Sequence, residues 1–390
     1  MRILFLALDT NIHVCRGDGV HVRELAQALV RLGHEVRVLS ATRNGRTFAG
    51  ITNFCRPDST LGQLAAIRKH GGGWAQVIYE RRMSPKISFL ASALNRIPFV
   101  VEVNGILDDE LRSQGSGTAV AGNALRTPVR GLMLQAASHV VAVSDGIRED
   151  LIRRYRLASA KVSTIPNGAN IDLFRPSDKQ TARARLGLQT DAKYVSFVGN
   201  LVAWQGVETL IRACASLRDS LPTLHVLIVG DGPEAGRIRS LAEGLNFLDR
   251  MMLVGSVPYV DVPIFINASD VCAAPFTATR KASPIKVYEA LACARPVVAS
   301  DVDGVGGLLR SWSAGLAVEP ENPPTLAHAI EWMLNHPDEA VAMGTRGREH
   351  VVNDRSWDAT ARAVAGVLEK ASVEFMHDDS FRFDRTTSSP

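Results

Sequence analysis

Residues 165–176 read IPNGANIDLFRP. Pro166, Asn167 and Gly168 crowd one end and Pro176 closes the other, so no regular period survives across the stretch. On both sides the chain is regular. Toward the N-terminus lie the apolar runs ILFLAL (3–8), VRVLS (36–40), AQVIYE (75–80), FVVEV (99–103), HVVAVS (139–144) and KVSTI (161–165). Nearly continuous runs of this kind suit strands buried on both faces of a parallel sheet. Toward the C-terminus a second series follows: YVSFVG (194–199), LHVLIVG (224–230), MMLVG (251–255), VCAAPF (271–276), PVVAS (296–300) and GLAVEP (315–320). Helical periods separate the runs. Between the first two, Val22, Leu25, Ala26, Leu29 and Leu32 recur at helical spacing and Gly33 ends the segment. Strand, helix, strand in that order is a βαβ unit.

The turn-rich stretch therefore divides two α/β domains of doubly wound type. A chain of 390 residues is too long for one such core and comfortable for two. The expected division is 1–170 and 171–355. A helix over 356–372 is expected to cross back onto the first domain, and a disordered tail over 373–390 to follow, where DDSFRFDRTTSSP has no period.

A hydrophobic content of 46% with 22% charged residues is ordinary for a folded soluble protein. Cys15, Cys55, Cys214, Cys272 and Cys293 show no CxxC or Cys/His spacing, which argues against disulfide staples or a thiolate metal site and suits a reducing compartment. ILFLAL is too short for a secretory leader, and no run approaches the ~20 apolar residues of a membrane helix. A cytoplasmic location is expected. Residues 1–180 hold 24 Lys and Arg against 15 Asp and Glu, a balance of +9, and the remainder holds 20 against 25, a balance of −5. A basic half favours anionic partners. Few aromatics accompany the arginines, so nucleic acid is not expected. An anionic membrane surface is, with a peripheral place on its inner face, and the clusters Arg81-Arg82 and Arg153-Arg154 with Arg156 are the expected contributors. The alternative is a solvated arginine-rich surface.

Ligands of open α/β sheets bind outside the carboxyl ends of strands. The first such loop carries Gly17-Asp18-Gly19. It is not G-x-G-x-x-G, because position 22 is valine, and no P-loop motif occurs. His13 and His21 flank it, and lone histidines are more often structural than ligands. Asp9 either caps this loop or bonds a ligand, and Trp204 either stacks on a ligand or plugs the cleft.

The stretch KASPIKVYEALACARPVVAS (281–300) carries the most chemistry. Ser283 suits an N-cap and Pro284 the first helical position. Ile285 and Lys286 then offer backbone N–H groups at the positive end of the helix, and the Lys286 ammonium adds a full charge. Such a helix start suits a phosphate or diphosphate. Glu289, within the next turn, suits the vicinal diol of a ribose. The alternative is plain capping with Glu289 at the surface.

FVGNLVAWQGVETLIRA (197–213), LIVGDGPE (227–234) and the 281–300 stretch follow in order. GHEVRVLS (33–40), VEVNG (101–105), VVAVSDGIRED (140–150) and IPNGANIDLFRP precede them. Together they resemble the retaining, nucleotide-sugar-dependent glycosyltransferases of family 4, with the GT-B fold, over nearly the whole chain up to the tail. The resemblance implies two Rossmann-like domains facing across a cleft. The C-terminal one would bind the nucleoside diphosphate sugar and the N-terminal one a glycan or lipid-linked acceptor, for polysaccharide or glycoconjugate synthesis. Carried across, Glu289 would bind the ribose, and Ser283, Ile285 and Lys286 would form the phosphate helix. Gly255, Ser256 and Val257 would lie along the base, and Gly17, Asp18 and Gly19 would approach the diphosphate and acceptor. No metal or other cofactor is implied. Retention would proceed by front-side attack, with the leaving diphosphate taking the acceptor proton.

Three departures stand out. The family commonly has Arg and Lys where Asn200 and Gln205 stand, a glutamate where Lys281 stands, and a histidine where Asn104 stands. Losing two positive charges beside a diphosphate leaving group removes stabilisation of developing charge. Lys281 and Lys286 are candidates to restore it, and Asn104, Lys281 and Glu289 are the candidate catalytic residues. A sugar-nucleotide epimerase or hydrolase on the same fold, or a non-catalytic binding subunit, are the alternatives.

Overall fold

The computed structural model describes residues 1–13, 17–42, 47–106, 127–279 and 283–377. The first apolar series forms β1 (Arg2–Ala7), β2 (Glu35–Ser40), β4 (Val77–Arg81), β5 (Phe99–Val103), β6 (His139–Ala142) and β7 (Val162–Thr164). A further strand, β3 (Thr52–Cys55), adds to the edge, and the order is β3-β2-β1-β4-β5-β6-β7. The second series forms β8 (Lys193–Val198), β9 (Leu224–Val229), β10 (Met251–Gly255), β11 (Val271–Ala274), β12 (Val297–Ser300) and β13 (Gly315–Val318), in the order β10-β9-β8-β11-β12-β13. Neighbouring strands run parallel in both sheets. The strand order reverses between β1 and β4 in one sheet and between β8 and β11 in the other. Each reversal opens a crevice at the carboxyl end of the sheet, where a ligand fits.

The helices that bear on the site are α1 (Gly17–Arg31), α2 (Thr60–His70), α3 (Lys86–Asn95), α4 (Thr127–Ala136), α5 (Asp145–Tyr155), α6 (Ile285–Ala292) and α7 (Trp357–His377). Helix α1 stops at Gly33, whose φ of +86° lets His34 N–H reach the Leu29 carbonyl at 3.1 Å. One face of the first sheet is covered by α1 and α7, which pack Val22, Leu25 and Leu29 against Val364, Leu368 and the buried Trp357. Truncating an indole so placed costs ~3–5 kcal/mol. The other face is covered by α2, α3, α4 and α5 through Ile67, Ala91, Leu134 and Leu151. Helix α7 continues to His377, so residues 373–377, expected in a tail, are helical. Residues 378–390 lie outside the described residues.

The stretch 165–176 is where the chain passes between domains, and the return passage runs beside it. Ala169 N–H donates to the Arg355 carbonyl at 2.8 Å, and Trp357 N–H donates back to the Ala169 carbonyl at 3.2 Å. The Thr360 hydroxyl donates to the Pro166 carbonyl at 3.0 Å. A Cβ on Gly168 would stand 2.5 Å from the Trp357 nitrogen, so the close crossing requires glycine there. Phe174, fully buried, anchors the far end of the stretch in the second domain.

Candidate active site

Helix α6 follows β11 and enters the second crevice. Lys286 lies in its first turn, and its Nζ donates to Gln205 Oε1 at 2.6 Å and stands 3.7 Å from the centre of the Phe197 ring. Gln205 belongs to the loop after β8 and is buried. Two glycines permit this approach. A Cβ on Gly199 (φ +144°) would stand 2.8 Å from the Lys286 ammonium, and one on Gly206 (φ +67°) would overlap the Pro275 carbonyl. The sequence expectation for the helix start is corrected in three places. Pro284, expected at the first helical position, precedes α6, whose first residue is Ile285. Ser283 does not cap α6; its hydroxyl accepts from Asn167 N–H at 3.1 Å, tying the helix entry to the interdomain crossing. The Ile285 N–H, expected to be open to a phosphate, donates to the Ser283 carbonyl at 3.1 Å.

Glu289 sits one turn after Lys286, on the same side of the helix. It is 6% exposed, so it is not a surface residue. Tyr259, just beyond the Gly255–Val257 loop, donates its hydroxyl to Glu289 Oε1 at 2.9 Å. Burial pushes the Glu289 carboxyl up to about 7 despite that hydrogen bond and the Lys286 charge, and the nearby Glu24 carboxylate adds to the rise. Glu24 comes from α1 of the first domain, and both its oxygens accept from Asn170 Nδ2 at 3.1 Å. Burial raises its pKa too. Two carboxyls from different domains thus share one neighbourhood, bridged by the interdomain stretch.

In the first domain a carboxylate is the hub of a buried cluster. Glu102 on β5 accepts from the Tyr79 hydroxyl at 2.5 Å and from His21 Nε2 at 3.1 Å, and Arg81 Nε stands 3.7 Å away. Asn104 Nδ2 donates to it as well. Burial alone would raise Glu102. The charge and hydrogen bond of His21, with Arg81 and Tyr79, outweigh it and hold the carboxyl at about 2. His21 is itself 1% exposed and meets the Trp357 ring edge-on, with centroids 5.1 Å apart. Asn104 is thus a side chain in a fixed orientation at the end of β5.

A family model described as "Glycosyltransferase Family 4" matches residues 16–173, and a model described as "Glycosyl transferases group 1" matches residues 178–350. The chain belongs to the family 4 glycosyltransferases. Among its relatives are a D-inositol 3-phosphate glycosyltransferase of Catenulispora acidiphila, 26% identical over 91% of this chain and 90% of that protein. An α-maltose-1-phosphate synthase of Mycolicibacterium smegmatis is 27% identical over 96% of this chain and 100% of that protein. Among solved structures, a sucrose-phosphate synthase from Thermosynechococcus elongatus superposes with a TM-score of 0.80 at 22% identity, covering 96% of this chain and 100% of the other. The two-domain architecture is therefore GT-B, and the activity is glycosyl transfer from a nucleotide sugar.

Within this glycosyltransferase the residues singled out by sequence separate into three groups. Gln205, Lys286 and Glu289 converge around α6, with Ser283 at its entry. Asn104 stands with the Glu102 cluster in the other domain. Gly17 and Asp18 open α1, and Gly17 has open space around its Cα where a side chain would point. Of the base loop, Gly255 is held by its carbonyl to Gly230 N–H at 2.8 Å, Ser256 is exposed, and Val257 packs on the core of α6. Asn200 is exposed. Lys281 lies outside the described residues. Trp204 packs against the core and accepts from Thr277 N–H through its carbonyl at 3.1 Å. Sequence reasoning missed Tyr259, Glu24 and the hub role of Glu102. A tyrosine beside a strand-end glycine and a glutamate inside a core strand were the only local signals. Among the described residues no His, Cys, Asp or Glu cluster suited to a metal occurs, and no helix is long and apolar enough to cross a membrane.

Proposed function

We propose that the enzyme is a retaining transferase that needs no metal and moves the donor sugar to a hydroxyl of a glycan or lipid-linked acceptor offered at an anionic membrane surface. The observation that carries the reading is the shared face of α6, with Lys286 and Glu289 one turn apart opposite the Gly199–Gly206 loop. A diphosphate takes Lys286 from the neutral Gln205 oxygen, since an anion is the stronger partner. Glu289 accepts from the ribose diol, and Tyr259 holds the carboxylate for it. Asn104, oriented by Glu102, faces the transferred sugar. Lys281 remains a candidate second cation. The helix start and lysine supply the positive field that a cation supplies elsewhere. The acceptor oxygen bonds to the anomeric carbon on the face from which the diphosphate oxygen departs, and the hydroxyl proton passes to that oxygen.

The test starts with thermal-shift screening of nucleotide sugars, beginning with UDP-glucose, which an Anabaena protein of the same fold, HepE, holds in its crystal structure. Transfer to glycan and lipid-linked acceptors is then followed with and without EDTA, and the product's anomeric configuration is read by NMR coupling constants. The expected product keeps the donor's configuration, at a rate indifferent to EDTA. An inverted product overturns retention, and loss of turnover in EDTA overturns metal independence.

A further inference from the structure

Of the arginines that sequence marked for a membrane, Arg156 is exposed and the others stand near acidic residues of the protein. Arg81 turns toward the buried Glu102. Arg153 and Arg154 both reach Asp150, at 2.5 and 3.2 Å, and Arg82 stands 3.8 Å from Asp9. A second set of basic residues lies elsewhere. Helices α2, α3 and α4 lie side by side on one face of the first sheet, turning Ile67, Ala91 and Leu134 to the core. Their three sequences, TLGQLAAIRKH, KISFLASALN and TPVRGLMLQA, contain no Asp or Glu. Arg68, Lys69, Lys86 and, at the end of α3, Arg96 are exposed.

The same layer exposes apolar side chains. Leu61 on α2 is 79% exposed, Leu94 on α3 71% and Leu132 on α4 66%, with Phe89 and Val129 beside them. Five of the eleven exposed large hydrophobic residues among the described residues fall on these three helices. Single exposed leucines need no explanation, but a concentration of them on one layer marks a contact surface.

We propose that the outer face of α2, α3 and α4 is the surface on which the enzyme rests against an anionic lipid bilayer. Apolar side chains enter the headgroup boundary, and the cations of these acid-free helices meet the lipid phosphates. A second copy of the chain fits the face poorly, because a two-fold contact would set its cations against one another with no acid on the three helices to pair them. The inference gives a location to the membrane part of the function proposed above, and its link to the acceptor rests on that reading.

The experiment is co-sedimentation of the full chain, without donor, with vesicles of phosphatidylcholine alone or mixed with phosphatidylglycerol, at low and raised salt. The parent is expected to bind the mixed vesicles, and raised salt to weaken that binding. Lys69→Gln with Arg96→Gln removes about fivefold per charge at low salt. Leu61→Ser with Leu132→Ser removes tenfold or more at either salt. Val341→Ser, an exposed position of the second domain, behaves as the parent. Melting curves report folding of each variant. Absence of parent binding overturns the proposal, as does parent-like binding by either double variant. A lipid-free dimer in light scattering that the leucine pair dissolves overturns it in favour of a contact between copies. Transfer to a soluble acceptor, measured on the same samples, reads the catalytic proposal separately and is expected to be unchanged.

Discussion

Glu102 of the first domain and Glu289 of the second are both buried, yet their pKa values move in opposite directions. Glu102 is 2% exposed and is held at about 2; Glu289 is 6% exposed and is pushed up to about 7. Burial acts on both in the same direction. The difference lies in their partners. Glu102 receives three side-chain donors and has Arg81 nearby, whereas Glu289 receives one hydroxyl and the Lys286 charge while Glu24 opposes it. What decides ionisation of these two buried carboxyls is the sign of the charges beside each, together with the donors that converge on it. The saturated carboxylate is a fixed support for Asn104. The under-coordinated one keeps acceptor capacity that a ligand's hydroxyls can fill.

The largest effect is expected from removing the hub. Glu102→Ala strands Arg81 and His21 in the interior and should cost ~3–5 kcal/mol in denaturant unfolding. A loss under about 1 kcal/mol would show that the donors were never committed to it. Because its folded pKa lies below the usual 4.5, Glu102 contributes stability that is present above about pH 4.5 and lost as the pH falls through about 2, in all roughly 3 kcal/mol.

Glu289 runs the other way. Its folded pKa lies above 4.5, so its contribution is complete below about pH 4.5 and is lost as the pH rises through about 7. Glu289→Gln should therefore match the parent near pH 4 and exceed it by up to about 3 kcal/mol above pH 7, while losing discrimination between ribose and 2′-deoxyribose diphosphates. Thermal melts across pH measure the first and competition binding the second. A variant less stable than the parent at pH 8 would break the contrast.

Lys286→Ala should weaken nucleoside diphosphate binding by ~1.5–3 kcal/mol, roughly tenfold to a hundredfold, and nucleoside binding much less. It should also move the pH midpoint of donor binding upward, since the lysine holds the Glu289 pKa down. Equal diphosphate affinity in titration calorimetry would remove the lysine from the site. Tyr259→Phe is the smallest change. Loss of one hydroxyl donor should cost ~1 kcal/mol of donor affinity at neutral pH and shift the same midpoint up, with melting little altered. An unmoved midpoint would leave Tyr259 a packing residue.

The sheets were legible because strands buried on both faces are written as apolar runs. The strand that escaped, TNFC of β3, lies on the edge, half-exposed, and has no such run. The end of α7 escaped because nothing in VEFMH breaks a helix. Lys286 and Glu289 were legible because one helix carries both. The partners that tune them were not. Tyr259 reaches Glu289 across 30 residues, His21 reaches Glu102 across 81, and Asn170 reaches Glu24 across 146. Ser283 was misread for a related reason: Ser-Pro before a helix is a local capping signal, but the Asn167 N–H, brought in by the fold, takes its hydroxyl.

The paired crossing at Ala169 and Ser356 also fixes an order of events during synthesis. The second domain is one uninterrupted length of chain between the two passages, so its sheet is complete as soon as that length has left the ribosome. The first sheet must wait: Trp357, Ala361, Val364 and Leu368, which seal its α1 face, are made only after the second domain. The domain translated first is the one finished last, and a chain cut short before Trp357 carries a closed second domain joined to a first sheet whose apolar face lies open to its neighbours.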